Sequence, residues 1–424
     1  MPTRANTLNK ALWYSLLLYV ALLGTMKPEQ FVFGQRMIPA DVVFVLVSAL
    51  FAANLFTGSI KLKLSAVLTA VLIYLGTMSV SAVFSAEPAR SGAKIVGVCY
   101  LAVIAAVISA SVDSIERLRS ITIAYLVGST VAVLIGLFTT ASFYFAPTAS
   151  FLKHLTHHYG SVPVGNYPRI SSTFISPSML MNYLSVSMVF LIVARIQGWI
   201  SMRLFILGAA ATAVCCIFTF SIGLGALFLI AALLLEIFAT SLPNTARRSI
   251  QGGCLAAAVA FVAIAPFALQ PHYSPGQATE APLTTSALQP SARLLVWNQA
   301  IATFSSDPLT GIGVGLPVAH VVFRNTDGTL SRLTDAHNVF LSVAGQAGLF
   351  GIAGVLLLCV QVLRTAFRKM ASTGNSIRVA SLLGIAFIIA FLYQGLTGSF
   401  EDARHLWLVI GLIPAATRLA EAVE

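Results

Sequence analysis

Residues 334–363 read TDAHNVFLSVAGQAGLFGIAGVLLLCVQVL, a short polar start followed by a long apolar run. No charged residue occurs from 338 to 363, and a helix needs about 20 predominantly apolar residues to span a bilayer. Similar runs recur along the 424-residue chain, which is 58% hydrophobic and 9% charged, whereas soluble domains average roughly 25% charged residues. The sequence therefore predicts an all-α polytopic membrane protein.

The apolar runs, bounded by charges, proline or glycine, predict about twelve membrane helices. They fall near residues 11–26, 40–58, 64–85, 93–112, 120–143, 176–194, 202–219, 221–240, 250–269, 338–363, 377–397 and 405–420. A membrane β-barrel would instead show short segments of alternating polarity. The first run follows two basic residues as a signal peptide would, but no clear cleavage site follows it, so we expect a retained helix. We expect a single integral domain over 1–424.

The distribution of positive charge predicts the orientation of the chain. With the N-terminus inside, most of the 25 lysines and arginines fall in short cytoplasmic loops, so the positive-inside rule favours a multi-pass protein with both termini in the cytoplasm. The net charge of +11 then reflects membrane topology, and we expect no nucleic-acid partner. Two long segments lie on the opposite side, an outer loop at 144–175 and a mostly ordered cap at 270–336. Within the cap, SARLLVWNQAI at 291–301 has helical apolar spacing.

Metal-binding and disulfide patterns are weak in this sequence. The five cysteines all fall in apolar runs, which predicts neither a disulfide framework nor a zinc site. His154, His157 and His158 would share one face if their stretch were helical, which suits a metal, but interfacial packing is the simpler explanation. The predicted outer acids are scattered, and only Glu401 and Asp402 are adjacent. We expect no metal and no other cofactor.

The polar start of the 334–363 stretch contains the candidate for proton transfer. Thr334 or Asp335 is the expected N-cap, which places His337 in the first helical turn. The helix dipole disfavours an imidazolium there, and a general base requires a neutral imidazole. The alternative is that His337 only helps to cap the helix.

Several short motifs occur in a fixed order in the chain. They are Arg169 before Thr173, Phe174 and Pro177; Arg293 with Trp297; Pro308 with Gly311, Gly313 and Gly315; and His337–Asn338 with Gly348 and Gly351. In order, spacing and topology, the region at roughly 290–355 resembles the O-antigen ligase and O-antigen polymerase superfamily. Many members carry Ser-Arg-Gly-Ala at a middle span, where this chain reads SIGLGA at 221–226. Arg169 or another outer arginine would take the place of the missing arginine.

The resemblance implies a GT-C-like fold and transfer of a glycan from an undecaprenyl-pyrophosphate carrier, at the periplasmic face of the bacterial inner membrane. The donor bond is already activated, so no nucleotide is required, and the Gly311–Gly315 run is predicted to be a loop. An O-antigen ligase that uses lipid A-core as acceptor is the first hypothesis. A polymerase and a protein O-glycosylating enzyme are alternatives within the superfamily. A lipid-linked glycan transporter is an alternative from another class, although the spans carry few of the midplane ionisable residues typical of ion-coupled carriers.

The same resemblance suggests roles for the outer polar residues. His337 would accept the proton of the acceptor hydroxyl while pyrophosphate leaves the anomeric carbon, and direct displacement would invert that centre. Guanidinium groups bind phosphate through planar, bidentate hydrogen bonds, so Arg293 and then Arg169 are the expected pyrophosphate ligands, in a metal-independent reaction. Asp335 would cap the helix or orient the imidazole ring. Further substrate-binding candidates are Asn338 and three arginines that would otherwise be ordinary loop cations, Arg324, Arg332 and Arg404.

Overall fold

Helices dominate the structure, a computed structural model that describes residues 4–32, 35–146, 148–158, 168–264, 292–324, 330–368 and 375–422. The helices are α1 (Arg4–Leu22), α2 (Pro39–Phe56), α3 (Ala66–Val83), α4 (Pro88–Ser111), α5 (Ile115–Phe145), α6 (Leu152–Leu155), α7 (Pro177–Ile196), α8 (Met202–Ile217), α9 (Gly225–Phe238), α10 (Asn244–Ile264), α11 (Ala292–Ser306), α12 (Val339–Phe367), α13 (Asn375–Phe387) and α14 (Arg404–Glu421). A 3-10 turn at Ile222–Leu224 precedes α9, and a π-helix at Ile388–Tyr393 continues α13.

Short antiparallel hairpins lie between some of the helices. They are β1 (Gln30–Val32) with β2 (Gln35–Met37), β3 (Thr156–His158) with β4 (Pro168–Ile170), and β5 (Val321–Arg324) with β6 (Leu330–Leu333). The hairpin of β3 and β4 bears on the three histidines, which would share one face only in a continuous helix. The stretch with the three histidines is not one helix, because α6 ends at Leu155 and the strand β3 follows.

A helix lies at each of the segments predicted to cross a membrane, although residues 265–269 of one of them lie outside the described residues. In the described ranges, six helices are long and apolar enough to span a bilayer, namely α2, α3, α4, α5, α7 and α12. The shorter apolar helices are Met202–Ile217, Ile222–Phe238 and Arg378–Tyr393. The chain is therefore an all-α, multi-pass membrane protein, and the larger number of spans stays a prediction.

Small residues bring the helices of the bundle close together. Gly354 of α12 lies against Thr77 of α3, and Gly411 of α14 lies against Ala105 of α4. Close approach of this kind is how membrane helices gain van der Waals contact, since lipid is as apolar as the side chains. The helix α7 is the most enclosed of the six candidate spans, with 78% of its apolar window buried inside the protein. The bundle is therefore organised around α7.

The described part of the outer cap, 292–324 and 330–336, packs onto the start of α12; residues 270–291 lie outside the described residues. The helix α11 confirms the prediction at 291–301, and the predicted glycine loop follows it. Backbone hydrogen bonds join that loop to α12, with Ile312 N donating to Gly345 O at 3.1 Å and Leu349 N donating to Pro308 O at 2.8 Å. Gly348 has φ +58° inside α12, a conformation that a side chain would strain.

The start of α12 differs from the expectation in one respect. Asn338 is the N-cap, because its side-chain oxygen accepts hydrogen bonds from Phe340 N at 2.9 Å and Leu341 N at 3.1 Å. The prediction that Thr334 or Asp335 caps the helix is therefore wrong. His337 precedes the cap and does not lie in the first turn. The cap falls here because an asparagine amide satisfies the free N–H groups of a helix start well.

Candidate active site

A large cavity of about 720 Å³ opens at the end of the bundle where α2, α4, α12 and α14 begin. Aromatic residues including Tyr100, Phe174 and Phe400 contribute to its walls. Its charged lining residues are Asp41, Arg90, Lys94, Asp335, Glu401, Asp402 and Arg404. Both signs of charge therefore face the same space, which is large enough for a sugar or a lipid head group.

The guanidinium of Arg404 forms a two-point ion pair with Asp41 in the large cavity. Arg404 Nε donates to Asp41 Oδ1 at 2.9 Å, and Nη2 donates to Oδ2 at 2.7 Å. Tyr100 donates its hydroxyl to the same Oδ1 at 2.5 Å, and Ile38 N donates to Oδ2 at 2.8 Å. Asp41 is 3% exposed, so this pair links the starts of α2 and α14 with little competition from water.

The acidic turn before α14 also pairs with other helices. Asp402 forms an ion pair with Lys94 of α4, while Arg404 pairs with α2. Residues 402 and 404 therefore form their ion pairs with two different helices. Glu401 lines the cavity beside these pairs, and Trp407 Nε1 donates to its backbone oxygen at 2.8 Å. The turn is thus held by contacts with the helix that follows it.

A second, smaller cavity of about 30 Å³ lies next to the large one and contains the two arginines expected to bind phosphate. Arg169 comes from β4 and Arg293 from α11. The other lining residues are Ser178, Ser221, Ile222, Gly223, Gln394, Thr397 and Phe400, so two cations meet in a space whose described lining includes no acidic residue. Phe400 lines both cavities.

Hydrogen bonds place Arg169 and the facing backbone of the small cavity. Arg169 Nε donates to Thr219 O at 3.0 Å, just before the 3-10 turn. The side chain of Ser221 caps that turn by accepting from Gly223 N at 3.2 Å. Residues 221–223 belong to the segment where relatives carry an arginine in the resemblance described above. Arg169 therefore shares a cavity with this segment, and its role as a substitute for the missing arginine stays a prediction.

The loop that carries His337 is tied to the loop before α14 by Asp335 and Asn338. Asp335 Oδ1 accepts hydrogen bonds from His337 N at 3.0 Å, Ser342 Oγ at 2.9 Å and Ser399 Oγ at 2.5 Å. Asn338 Nδ2 donates to the backbone oxygen of Leu396 at 3.1 Å. Asp335 thus fixes the backbone of His337 rather than the end of the helix. One wall of the large cavity and the His337 loop consequently form a single unit.

His337 lies beside Arg293, in an unusual backbone conformation. Its φ is +47°, a region that residues other than glycine seldom occupy and that is often found at functional sites. Burial lowers the pKa of His337, Asp335 opposes that shift, and the Arg293 guanidinium adds to it. The two side chains are therefore within electrostatic reach, and the imidazole is neutral at pH 7, as a base requires. His337 is not among the lining residues of the two cavities.

Two of the predicted substrate-binding arginines lie elsewhere, in the hairpin of β5 and β6. Arg332 of β6 is exposed and lies opposite Val322. Arg324 ends β5 and pairs with Leu330, and its side chain lies outside the described residues. In contrast to Arg169, Arg293 and Arg404, Arg332 does not line either cavity.

Sequence reasoning missed several lining residues because they look like ordinary helix residues in the sequence. Gln394 and Thr397 reach the small cavity from the turn after the π-helix, and Lys94 and Tyr100 reach the large one from α4. Gln394 Nε2 donates to Ser185 Oγ of α7 at 2.8 Å, which holds that turn against the centre of the bundle. A π-helix often marks a functional site, but this one became visible only in the structure.

No group of three or more His, Cys, Asp or Glu side chains is arranged to hold a metal ion among the residues that the structure describes. The acids nearest to one another, Glu401 and Asp402, share their surroundings with Lys94. The site's evident chemistry is therefore that of a buried imidazole, guanidinium groups and carboxyl groups around two adjoining cavities.

The helices and the site define a multi-pass membrane protein with a polar, arginine-containing centre at one end of the bundle. A family model described as O-antigen ligase matches residues 176–356, which include α7, the 3-10 turn, Arg293 and His337. The match covers less than half of the chain, and it confirms the resemblance seen in the motifs. Over residues 176–356 the chain is therefore similar to proteins of the O-antigen ligase/polymerase family. No curated protein matches the chain.

Proposed function

We propose that this protein is an O-antigen ligase, which transfers O-antigen polysaccharide from undecaprenyl pyrophosphate to lipid A-core oligosaccharide. The observation that carries the proposal is the meeting of Arg169 and Arg293 in one cavity, whose described lining includes no acidic residue, with Arg293 within electrostatic range of His337. The family supports the ligase/polymerase type of reaction, whose members are membrane glycosyltransferase-like enzymes. The pyrophosphate of the donor is an anion and requires cations, which the two arginines supply. Transfer to a hydroxyl group requires a base, which His337 supplies.

The chemical step is a displacement at the anomeric carbon of the donor. The acceptor hydroxyl oxygen forms the new C–O bond, the bond to the pyrophosphate oxygen breaks, and the hydroxyl proton passes to the neutral imidazole of His337. The leaving pyrophosphate takes the electron pair of the broken bond. A single displacement with one base inverts the anomeric centre.

The two arginines stabilise the pyrophosphate as it leaves. A guanidinium offers planar hydrogen-bond donors that match phosphate oxygens, and a preorganised cation of this kind acts on charge that develops in the transition state. The small cavity measures about 30 Å³, which is the share of one water molecule in the liquid. Pyrophosphate binding at the two guanidinium groups therefore requires this cavity to enlarge.

The bilayer supplies the donor and sets the location of the reaction. A lipid carrier diffuses in the membrane plane and reaches a site at the end of a helical bundle without crossing water. We place the protein in the bacterial inner membrane, with both termini in the cytoplasm and the site at the periplasmic face, because of the positive charge in the short loops.

The experiment is a gel profile of lipopolysaccharide and carrier-linked glycan from a deletion strain. Complementation uses the wild type, His337→Ala, Arg293→Ala and, as a matched control, the exposed Arg332→Ala, all at equal expression. Bare core with polymer accumulating on the carrier in the deletion strain indicates a ligase. Core capped with a single repeat indicates a polymerase and would refute the ligase. We expect rescue by wild type and Arg332→Ala alone.

A further inference from the structure

The large cavity contains cations, but each of them has a carboxylate partner. Lys94 pairs with Asp402, and Arg404 pairs with Asp41. Arg90 faces Glu87 at 3.8 Å between Nη1 and Oε2. Little positive charge is therefore left for a pyrophosphate, and the cavity suits an uncharged polar ligand better than an anion.

Glu401 differs from the other acids that line this cavity. Its Oε2 is buried and has no hydrogen-bond partner among the described residues, whereas Asp41, Asp335 and Asp402 all accept hydrogen bonds from side chains. The backbone of Glu401 is fixed by the hydrogen bond from Trp407, so the side chain stays at the cavity wall. A buried polar atom without a partner is costly unless a ligand or water supplies one.

The carboxyl group of Glu401 is mostly protonated at neutral pH. Burial, then Asp402 and Asp335, raise the pKa of Glu401 to about 8, while Lys94 acts against the shift. A protonated carboxyl group has one O–H donor as well as acceptor oxygens. Sugar hydroxyls likewise both donate and accept, so the two groups complement each other.

We propose that Glu401 binds hydroxyl groups of the acceptor sugar within the large cavity. The aromatic rings of Tyr100, Phe174 and Phe400 supply apolar surface for the sugar's C–H groups in the same space. Phe400 lines both this space and the arginine cavity, so an acceptor bound at Glu401 would lie next to a donor whose pyrophosphate is held by Arg169 and Arg293. The proposal rests on the proposed sugar transfer and assigns the acceptor to one of the two cavities.

The test measures binding without turnover, using full-length protein purified in detergent. The probe is the water-soluble core oligosaccharide released from lipid A by mild acid hydrolysis, and the method is isothermal titration calorimetry. The variants are Glu401→Ala, Glu401→Gln and Arg293→Ala, with the exposed Glu116→Gln as the matched control for losing one acid. Thermal unfolding of each variant checks that it is folded.

We expect Glu401→Ala to weaken binding of the oligosaccharide at least tenfold. Glu401→Gln should stay within about threefold of wild type, because the amide retains a donor and an acceptor. Glu116→Gln and Arg293→Ala should bind like wild type, since neither residue lines the large cavity. In a transfer assay, Glu401→Ala should raise the KM for the acceptor and leave the KM for the donor unchanged.

The assignment of Glu401 would be overturned by unchanged binding of the oligosaccharide to a folded Glu401→Ala variant, or by no binding to the wild type. An equal loss in Arg293→Ala would show that one shared space binds both substrates and would also overturn it. If the wild type bound the oligosaccharide in a Glu401-dependent way but the protein did not ligate O-antigen in cells, the proposed ligase function would be refuted and the binding role of Glu401 would stand. The two proposals can therefore fail separately.

Discussion

The two adjoining cavities contain the same type of cation in opposite electrostatic surroundings. In the large cavity, Arg404 is bound at two points by Asp41, and its charge serves to join α2 to α14. In the small cavity, Arg169 and Arg293 converge where no lining residue is acidic. A buried ion pair neutralises its own charge, whereas two neighbouring cations attract an anion. An arginine's neighbours, rather than its predicted side of the membrane, are therefore the better guide to whether its charge is available to an anion.

The largest effect is expected from removal of the imidazole beside the arginine cavity. His337→Asn should lower the rate of glycan transfer by about 10²–10⁴-fold, the usual contribution of general base catalysis. Asparagine is chosen because it tolerates the positive φ at this position better than alanine. The measurement is transfer by purified protein from carrier-linked glycan to lipid A-core. Activity close to wild type in a folded variant would remove His337 from the chemical step.

A loss of about 10²–10³-fold in transfer rate is expected for Arg293→Ala, the typical cost of removing one preorganised donor to developing charge. Arg293→Lys should recover only part of the rate, because an ammonium group cannot form the planar, two-point contact of a guanidinium. Arg332→Ala is the matched control, since Arg332 is exposed in β6. If Arg332→Ala proved as damaging as Arg293→Ala, the contrast between the two cavities would lose its basis.

A moderate effect on stability, rather than on the reaction, is expected at the ion pair of the large cavity. Asp41→Asn leaves the charge of Arg404 without its partner and should destabilise the protein by about 2 kcal/mol, allowing for partial solvent access. The double variant Asp41→Asn/Arg404→Gln should regain part of that loss. Thermal unfolding in detergent measures stability, with Glu116→Gln as control. A normal unfolding temperature combined with abolished transfer would instead make Arg404 a substrate ligand.

The smallest effect concerns the pH dependence of transfer. Burial and Arg293 lower the pKa of His337, so the neutral base persists as the pH falls, and the rate should drop only below the ordinary imidazole value of about 6.5. Removing Arg293 removes one cause of the lowered pKa. In Arg293→Ala, the pH below which the remaining transfer rate falls should therefore be higher than in the wild type, by a few tenths of a unit or more. The pH–rate profiles of wild type, Arg293→Ala and Arg332→Ala check this, and an unmoved limb in Arg293→Ala contradicts the proximity of the two groups.

Much of the helical framework could be predicted from the sequence because apolar runs are a local signal. The run at 338–363 became α12, and the amphipathic pattern at 291–301 became α11. The glycine loop at 311–315 was also correctly predicted, since its positive φ values suit glycine. The helix start at Asn338 was not correctly predicted. Several polar residues precede the apolar run, and which of them caps the helix depends on the tertiary structure.

Apolar runs in the sequence are sufficient to predict a helical, multi-pass membrane protein, and the ordered motifs indicate its similarity to the O-antigen ligase/polymerase family. Which polar groups meet depends on the packing of the helices. Arg169 and Arg293 are far apart in sequence and share a cavity, and Asp41 and Arg404, near opposite ends of the chain, form an ion pair. The reason is physical: membrane insertion depends on local apolarity, whereas contacts between distant side chains depend on how the helices pack.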